Sequence, residues 1–269
     1  MKEKVLRSIF CFIQGDALAQ ESRIKEELSY NIKQGIWSSR TALILATLDA
    51  YKIMDGFSLM KNFTLFIEEG KYTAENIPTE VEETFYEAMN RFQRGVHPED
   101  CGGKQEKDRT PGGLLRVLPL AIFAMKTFDL RKDKSSALTF IEEMVGCTHA
   151  HPETKYLVRV YGDILWSLFY EKIDLHFWNR LEQEKRNIAS YEGEDAKVLL
   201  RTLELLEKST SFAHSMELAL TESHDPKSVA PLLATLTGLL YDDQPVEWMQ
   251  VVKKTQIEGS VLQAWLGIM

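Results

Sequence analysis

The chain has 269 residues, of which 44% are hydrophobic, 10% aromatic and 27% charged, a balance that excludes a disordered or fibrous protein. Its formal charge of -8, with acids and bases interspersed, argues against general affinity for a nucleic-acid backbone or an anionic membrane surface. Cys11, Cys101 and Cys147 have no metal-ligand spacing, and an odd cysteine count without a recognisable leader points to a reducing, cytoplasmic setting.

Along the chain, the first apolar run, 5–13, follows Lys2 and Lys4 but is too short for a leader or a span, and it passes into Gln14-Gly15-Asp16 rather than a cleavage site. No later window supplies about 18 uncharged apolar residues, so no membrane span is predicted. Residues 41–54 are apolar nearly all round, which predicts a helix buried in the middle of a bundle. Thr79-Glu80-Val81-Glu82 has the capping-box pattern, with Val81, Phe85, Met89 and Phe92 on one face and Gly95 as a stop; a surface helix is predicted there. The longest break, 96–113, is rich in Gly, Pro and charge and is expected to be functional or mobile. Two further all-apolar stretches, 114–128 and 229–241, join the buried set, the first kinked at Pro119. Amphipathic stretches 155–171, 175–188, 196–208 and 247–256 supply an outer layer. Alternating strand patterns are nearly absent, and no fixed-period repeat or linker is visible. The expectation is an all-α, single-domain multi-helix bundle over 1–269, with buried central helices and an outer helical layer.

Chemistry-bearing motifs are few. There is no Gly-x-Ser-x-Gly, Walker segment, His-Glu-x-x-His or dinucleotide fingerprint. Two polar segments each open an apolar helical stretch: Trp37-Ser38-Ser39-Arg40-Thr41 and His224-Asp225-Pro226-Lys227-Ser228. Asp225 followed by Pro226 reads as an N-cap with proline in the first helical position. Asp16 could brace the turn after the first helix. Gly112 and Gly113 precede an apolar helix, where backbone N–H groups can cradle a phosphate. The five tryptophans, Trp37, Trp166, Trp178, Trp248 and Trp265, read as packing residues.

Five ordered blocks carry a resemblance that covers almost the whole chain: Gln14-Gly15-Asp16-Ala17-Leu18-Ala19; Gly35-Ile36-Trp37-Ser38-Ser39-Arg40-Thr41-Ala42; Thr110-Pro111-Gly112-Gly113-Leu114-Leu115-Arg116-Val117-Leu118-Pro119-Leu120; Thr148-His149-Ala150-His151-Pro152; and a last one from Ser211-Phe212 through Asp225-Pro226-Lys227-Ser228 to Trp248. Together they resemble the ADP-ribosylglycohydrolase family, the dinitrogenase-reductase-activating glycohydrolase and its relatives. The resemblance implies that family's all-α fold. It also implies a magnesium pair held by segments that read roughly Trp-Thr-Asp-Asp-Thr and Asp-x-Asp-Thr, with the Gly112–Gly113 region near a diphosphate and His149 or His151 near a ribose.

This chain departs from the pattern where the metals would sit. Ser38, Ser39 and Arg40 replace the first trio, and Asp225, Pro226, Lys227 and Ser228 stand at the second, leaving one carboxylate of four. Two fixed cations oppose a divalent ion, so loss of the magnesium pair and no cofactor are expected. Arg40 and Lys227 are expected to take over the metals' charge role, or to pair internally with Asp225 or another acid. A family acid that follows the first block falls in frame at Arg23, with Glu21 two positions earlier. The first functional expectation is a metal-free, degenerate member that binds an ADP-ribosyl group, a related nucleotide or a protein partner through Gly112, Gly113, His149, Arg40 and Lys227. The alternative is an active hydrolase that cleaves the ribose–acceptor bond without metal, with Asp16, Glu21 or Asp225 as base. The expectation is a pseudoenzyme, with an ADP-ribosylglycohydrolase-like hydrolase as the alternative.

Overall fold

Helices account for the architecture of the computed structural model, which describes residues 1–20, 37–171 and 173–244; within these there is no strand, and one isolated parallel bridge joins Gly103 to His149. The α-helices are α1 (Lys2–Ala19), α2 (Ser39–Asp49), α3 (Gly56–Glu69), α4 (Glu83–Gln93), α5 (Pro98–Cys101), α6 (Gly112–Leu115) and α7 (Val117–Thr127). They continue as α8 (Lys134–Gly146), α9 (Pro152–Tyr170), α10 (Leu175–Ile188), α11 (Glu194–Lys208), α12 (Phe212–Glu222) and α13 (Pro226–Leu240). Side chains capture free backbone N–H groups at several starts: Asp55 accepts from Ser58 N at 2.7 Å, Asp174 from His176 N at 2.9 Å, and Ser211 from His214 N at 3.0 Å. Each α-helix contributes to one contiguous apolar core.

The centre of that core is the pair α1 and α13. A Cβ on Gly15 would lie 2.6 Å from the Ala230 carbonyl oxygen and 2.8 Å from Ala234 Cβ, while one on Gly238 would overlap Cys11. Gly15 faces the earlier part of α13 and Cys11 the later part, so the two helices run antiparallel. Glycine permits that close approach, and both helices are buried nearly all round. The predicted buried stretches thus appear as α2, as α6 with α7, and as α13.

Several expectations are corrected. The stretch 155–171 lies within α9, which is not an outer helix: Leu157, Val158, Tyr161, Leu165 and Trp166 are among its buried residues, and it packs on α6, α7, α8, α10, α11 and α13. Pro119 does not kink a continuous helix. It occupies the third position of α7, and the break falls at Arg116, because the proline ring and its missing N–H are incompatible with the carbonyl of Leu115, four residues back. The capping box at Thr79 does not form: α4 starts at Glu83, and the Glu82 side chain makes no cap bond. The break 96–113 is ordered, with α5 and a 3-10 turn at Glu106–Asp108. Gly103 N donates to Thr148 O at 3.0 Å and Ala150 N to Gly103 O at 2.8 Å, while Asp108 accepts from Gln105 N at 2.7 Å. Trp37 and Trp166 are buried, and their indole N–H groups donate to the carbonyls of Tyr72 and Ala121. The stretch 247–256, Trp248 and Trp265 lie outside the described residues, and among these no helix is long and apolar enough to cross a membrane.

Replacing Gly15 by valine should lower the unfolding free energy by about 3 kcal/mol in urea titrations, the upper end of overpacking costs. A loss under about 0.5 kcal/mol would contradict the close α1–α13 contact.

Candidate functional site at the start of two helices

Asp16, in the last turns of α1, is fully buried and its carboxylate is fully engaged. Oδ1 accepts from Ser38 Oγ at 2.6 Å and Gln20 Nε2 at 3.0 Å; Oδ2 accepts from Ser38 N at 2.9 Å and Thr41 Oγ1 at 2.6 Å. Ser38 in turn is the N-cap of α2, its hydroxyl accepting from Arg40 N at 3.1 Å. Asp16 therefore fixes where α2 begins.

Because α13 is antiparallel to α1, its first turn lies beside the same end of α1. Asp225 caps that turn, its Oδ1 accepting from Ser228 N at 3.1 Å, and Pro226 takes the first helical position. The short helix α6 packs on both α2 and α13, as well as on α9 and α11. Lys227 is exposed, whereas Arg40 is half-buried with its Nε enclosed and without a hydrogen-bond partner among the described residues. The Ser228 hydroxyl, fully buried, and the buried Gln14 amide on α1 also lack partners there. Among the described residues neither Arg40 nor Lys227 forms an ion pair with Asp225, whose carboxylate is turned to its own helix.

A second polar cluster lies between the 103–113 loop and the turn joining α8 to α9. His149 is fully buried. Its Nδ1 lies 3.1 Å from Arg116 Nη2 and 2.9 Å from Thr148 Oγ1, and its Nε2 lies 2.5 Å from Glu82 Oε1 and 3.0 Å from Thr110 Oγ1. A guanidinium can only donate, so Nδ1 accepts and Nε2 carries the proton toward Glu82. Arg116, 2% exposed, also donates through Nε to Gly112 O at 3.1 Å and through Nη2 to Thr148 Oγ1, and its guanidinium stands 5.2 Å from the Phe63 ring centroid. Burial pushes the Arg116 pKa down to about 10 against the pull of Glu82, which leaves it charged at neutral pH. Burial alone would raise the Glu82 carboxyl, but the electrostatic attraction and hydrogen bond of His149, the Thr110 hydroxyl and the Arg116 charge outweigh it and hold the carboxyl below its ordinary value. Gly112 lies directly against this carboxylate: a Cβ there would fall inside the surface of Glu82 Oε1. Gly113 is buried against Thr154, Val145 and His149. His151 caps α9, its Nδ1 accepting from Glu153 N at 3.3 Å.

The model of the ADP-ribosylglycohydrolase family matches residues 1–267. The chain belongs to the ADP-ribosylglycohydrolase family. No curated protein matches it. Among solved structures, one described as an "ADP-ribosylglycohydrolase-related protein complex" superposes with a TM-score of 0.75 at 16% identity, covering 99% of this chain and 97% of the other; at that identity the likeness speaks for the fold.

Against the family's magnesium pair, the donor set of this member fits poorly. Ser38 is spent on Asp16 and Arg40, Asp225 on its own helix, and two side chains at the remaining positions, Arg40 and Lys227, are cations. Magnesium requires a near-octahedral shell of hard oxygens, usually including carboxylates. Among the described residues no group of three or more His, Cys, Asp or Glu side chains could hold a metal ion. Glu21 and Arg23 lie outside the described residues.

Of this cluster the sequence marks Gly112, Gly113, His149 and His151 as site residues, and it gives no site role to Glu82, Thr110, Arg116 or Thr148. Thr110, Arg116 and Thr148 stand inside the family-like blocks, and Glu82 was assigned to a capping box. One signal was present: Arg116 is a lone charge near the start of an apolar run, and a cation buried there demands partners.

Removing the Asp16 carboxylate strips an acceptor from four donors, three of which hold the start of α2 in place. Asp16→Ala should therefore destabilise the ligand-free protein by about 3 kcal/mol in chemical denaturation. A change under about 1 kcal/mol would show that the carboxylate is not a structural brace.

Proposed function

We propose that this protein is a metal-free member of the ADP-ribosylglycohydrolase family that binds an ADP-ribosyl group or related nucleotide at the adjoining starts of α2 and α13. The observation that carries this reading is a pair of cations, Arg40 and Lys227, at two helix starts with no ion-pair partner among the described residues. Each helix start presents the positive end of its dipole. The first turns of the two helices add Arg40 and Lys227, and the only described carboxylates fixed there, Asp16 and Asp225, are bound to backbone N–H groups and hydroxyls. A basic residue in a helix first turn is unfavourable by about 0.3–1 kcal/mol, and an anionic ligand turns that cost into attraction. The buried Arg40 Nε and Ser228 Oγ supply donors for a ligand oxygen.

Turnover without metal would need a base able to activate water. Of the candidate bases among the described residues, Asp16 is buried and saturated with four donors and Asp225 is occupied as an N-cap, which favours binding over hydrolysis. A cytoplasmic location accords with the cysteine usage and remains part of the proposal.

Calorimetric titration with ADP-ribose should give the same affinity in magnesium and in a chelator, and Arg40→Ala combined with Lys227→Ala should weaken it by about tenfold or more. Binding that requires magnesium, or release of ADP-ribose from a modified acceptor only when magnesium is added, would refute the proposal.

A further inference from the structure

The described part of the chain contains one deeply buried cation that reaches a carboxylate only through another side chain. Arg116 donates to Gly112 O, Thr148 Oγ1 and His149 Nδ1, and His149 passes the polarisation to Glu82 through its Nε2–H. Every group that grips the Glu82 carboxylate belongs to another part of the chain: Thr110 to the loop before α6, His149 to the turn after α8. Glu82 itself makes no cap bond to α4, its backbone is extended at φ -65° and ψ 151°, and residues 75–80 leading up to it are exposed. Its side chain retains 28% exposure, while His149 beneath it retains none. The carboxylate thus closes a set of donors that would otherwise face outward, and α4 does not depend on its being there.

We infer that Thr110, His149 and Arg116 form an oxyanion seat, and that Glu82 is its internal occupant, displaced when a carboxylate or phosphoryl group of a ligand enters. Arg116 supplies the fixed positive charge, His149 and Thr110 supply the directed groups, and the absence of a side chain at Gly112 leaves room for the anion oxygen that His149 holds. Glu82 is then an intramolecular competitor: a ligand anion sees only the fraction of molecules in which Glu82 has swung out, and its apparent affinity falls by that fraction. The inference stands on this geometry whether or not the protein's ligand is an ADP-ribosyl group.

Chemical rescue tests it. Glu82→Ala should have a lower melting temperature than the unaltered protein, and formate or acetate at about 50 mM should recover part of the loss relative to chloride at equal ionic strength. The unaltered protein should not respond, because its seat is taken. Adding Thr110→Ala to Glu82→Ala should abolish the rescue. Rescue by formate and acetate but not phosphate marks a carboxylate-sized seat; rescue by phosphate as well marks one that admits a phosphoryl group. If Glu82→Ala fails to fold, Glu82→Gln titrated with inorganic phosphate should bind about tenfold more tightly than the unaltered protein, as expected when the competitor held the seat about nine-tenths of the time. No anion-specific recovery in Glu82→Ala, equal shifts in both proteins, or unchanged phosphate affinity in Glu82→Gln would each overturn the inference. The ADP-ribose titration of the unaltered protein is a separate readout, so failure of one proposal does not decide the other.

Discussion

The buried carboxylate of Asp16 is the interaction on which the arrangement turns. It follows Gly15, whose missing side chain lets α1 approach α13, and it is the acceptor that sets the start of α2 through Ser38 and Thr41. Two adjacent residues of α1 thereby serve two helix contacts, and the starts of α2 and α13 come to lie beside the same end of α1. The first turns of α2 and α13 carry Arg40 and Lys227, which add to the positive field of the two helix starts. That field suits an anion better than a divalent ion.

The His149 cluster shows the same charge logic from the opposite direction. A guanidinium as buried as Arg116 needs an anion within electrostatic reach, and the chain supplies one from outside the core through Glu82. The helix starts of α2 and α13 have no such internal anion among the described residues. The chain itself thus satisfies the Arg116 charge. The short helix α6 packs on α2 and α13 and carries Gly112, the residue that lets the Glu82 carboxylate come close.

Much of the fold was legible in the sequence because buried helices announce themselves by composition. The stretch 175–188 coincides with α10, and the all-apolar runs coincide with the most buried helices. The failures have local causes. The stretch within α9 shows charges such as Arg159 and Asp163 that suggest an outer face, yet Arg159 pairs with Glu142 and Asp163 with Lys134, both on α8, which lets that face pack as well. The capping box failed because its Glu82 finds a stronger set of donors in His149 and Thr110, some 70 and 30 residues away in sequence, and local pattern cannot register so distant a competitor. Asp225 behaved as its Asp-Pro pair suggests, because an N-cap and the proline after it are fixed by adjacent backbone alone. The candidate site was legible as a set of substituted positions, since the surrounding blocks kept their order; which of its charges would find partners depended on contacts that only the packed structure reveals.

The central claim, that these helix starts receive an anion and not a metal pair, is tested most directly by anomalous diffraction from crystals soaked with manganese and ADP-ribose. Phosphate or ribose density against Arg40 and Ser228, with no anomalous peak between the starts of α2 and α13, is the predicted result. A pair of manganese peaks coordinated by Ser39, Asp225 and Ser228 would contradict it.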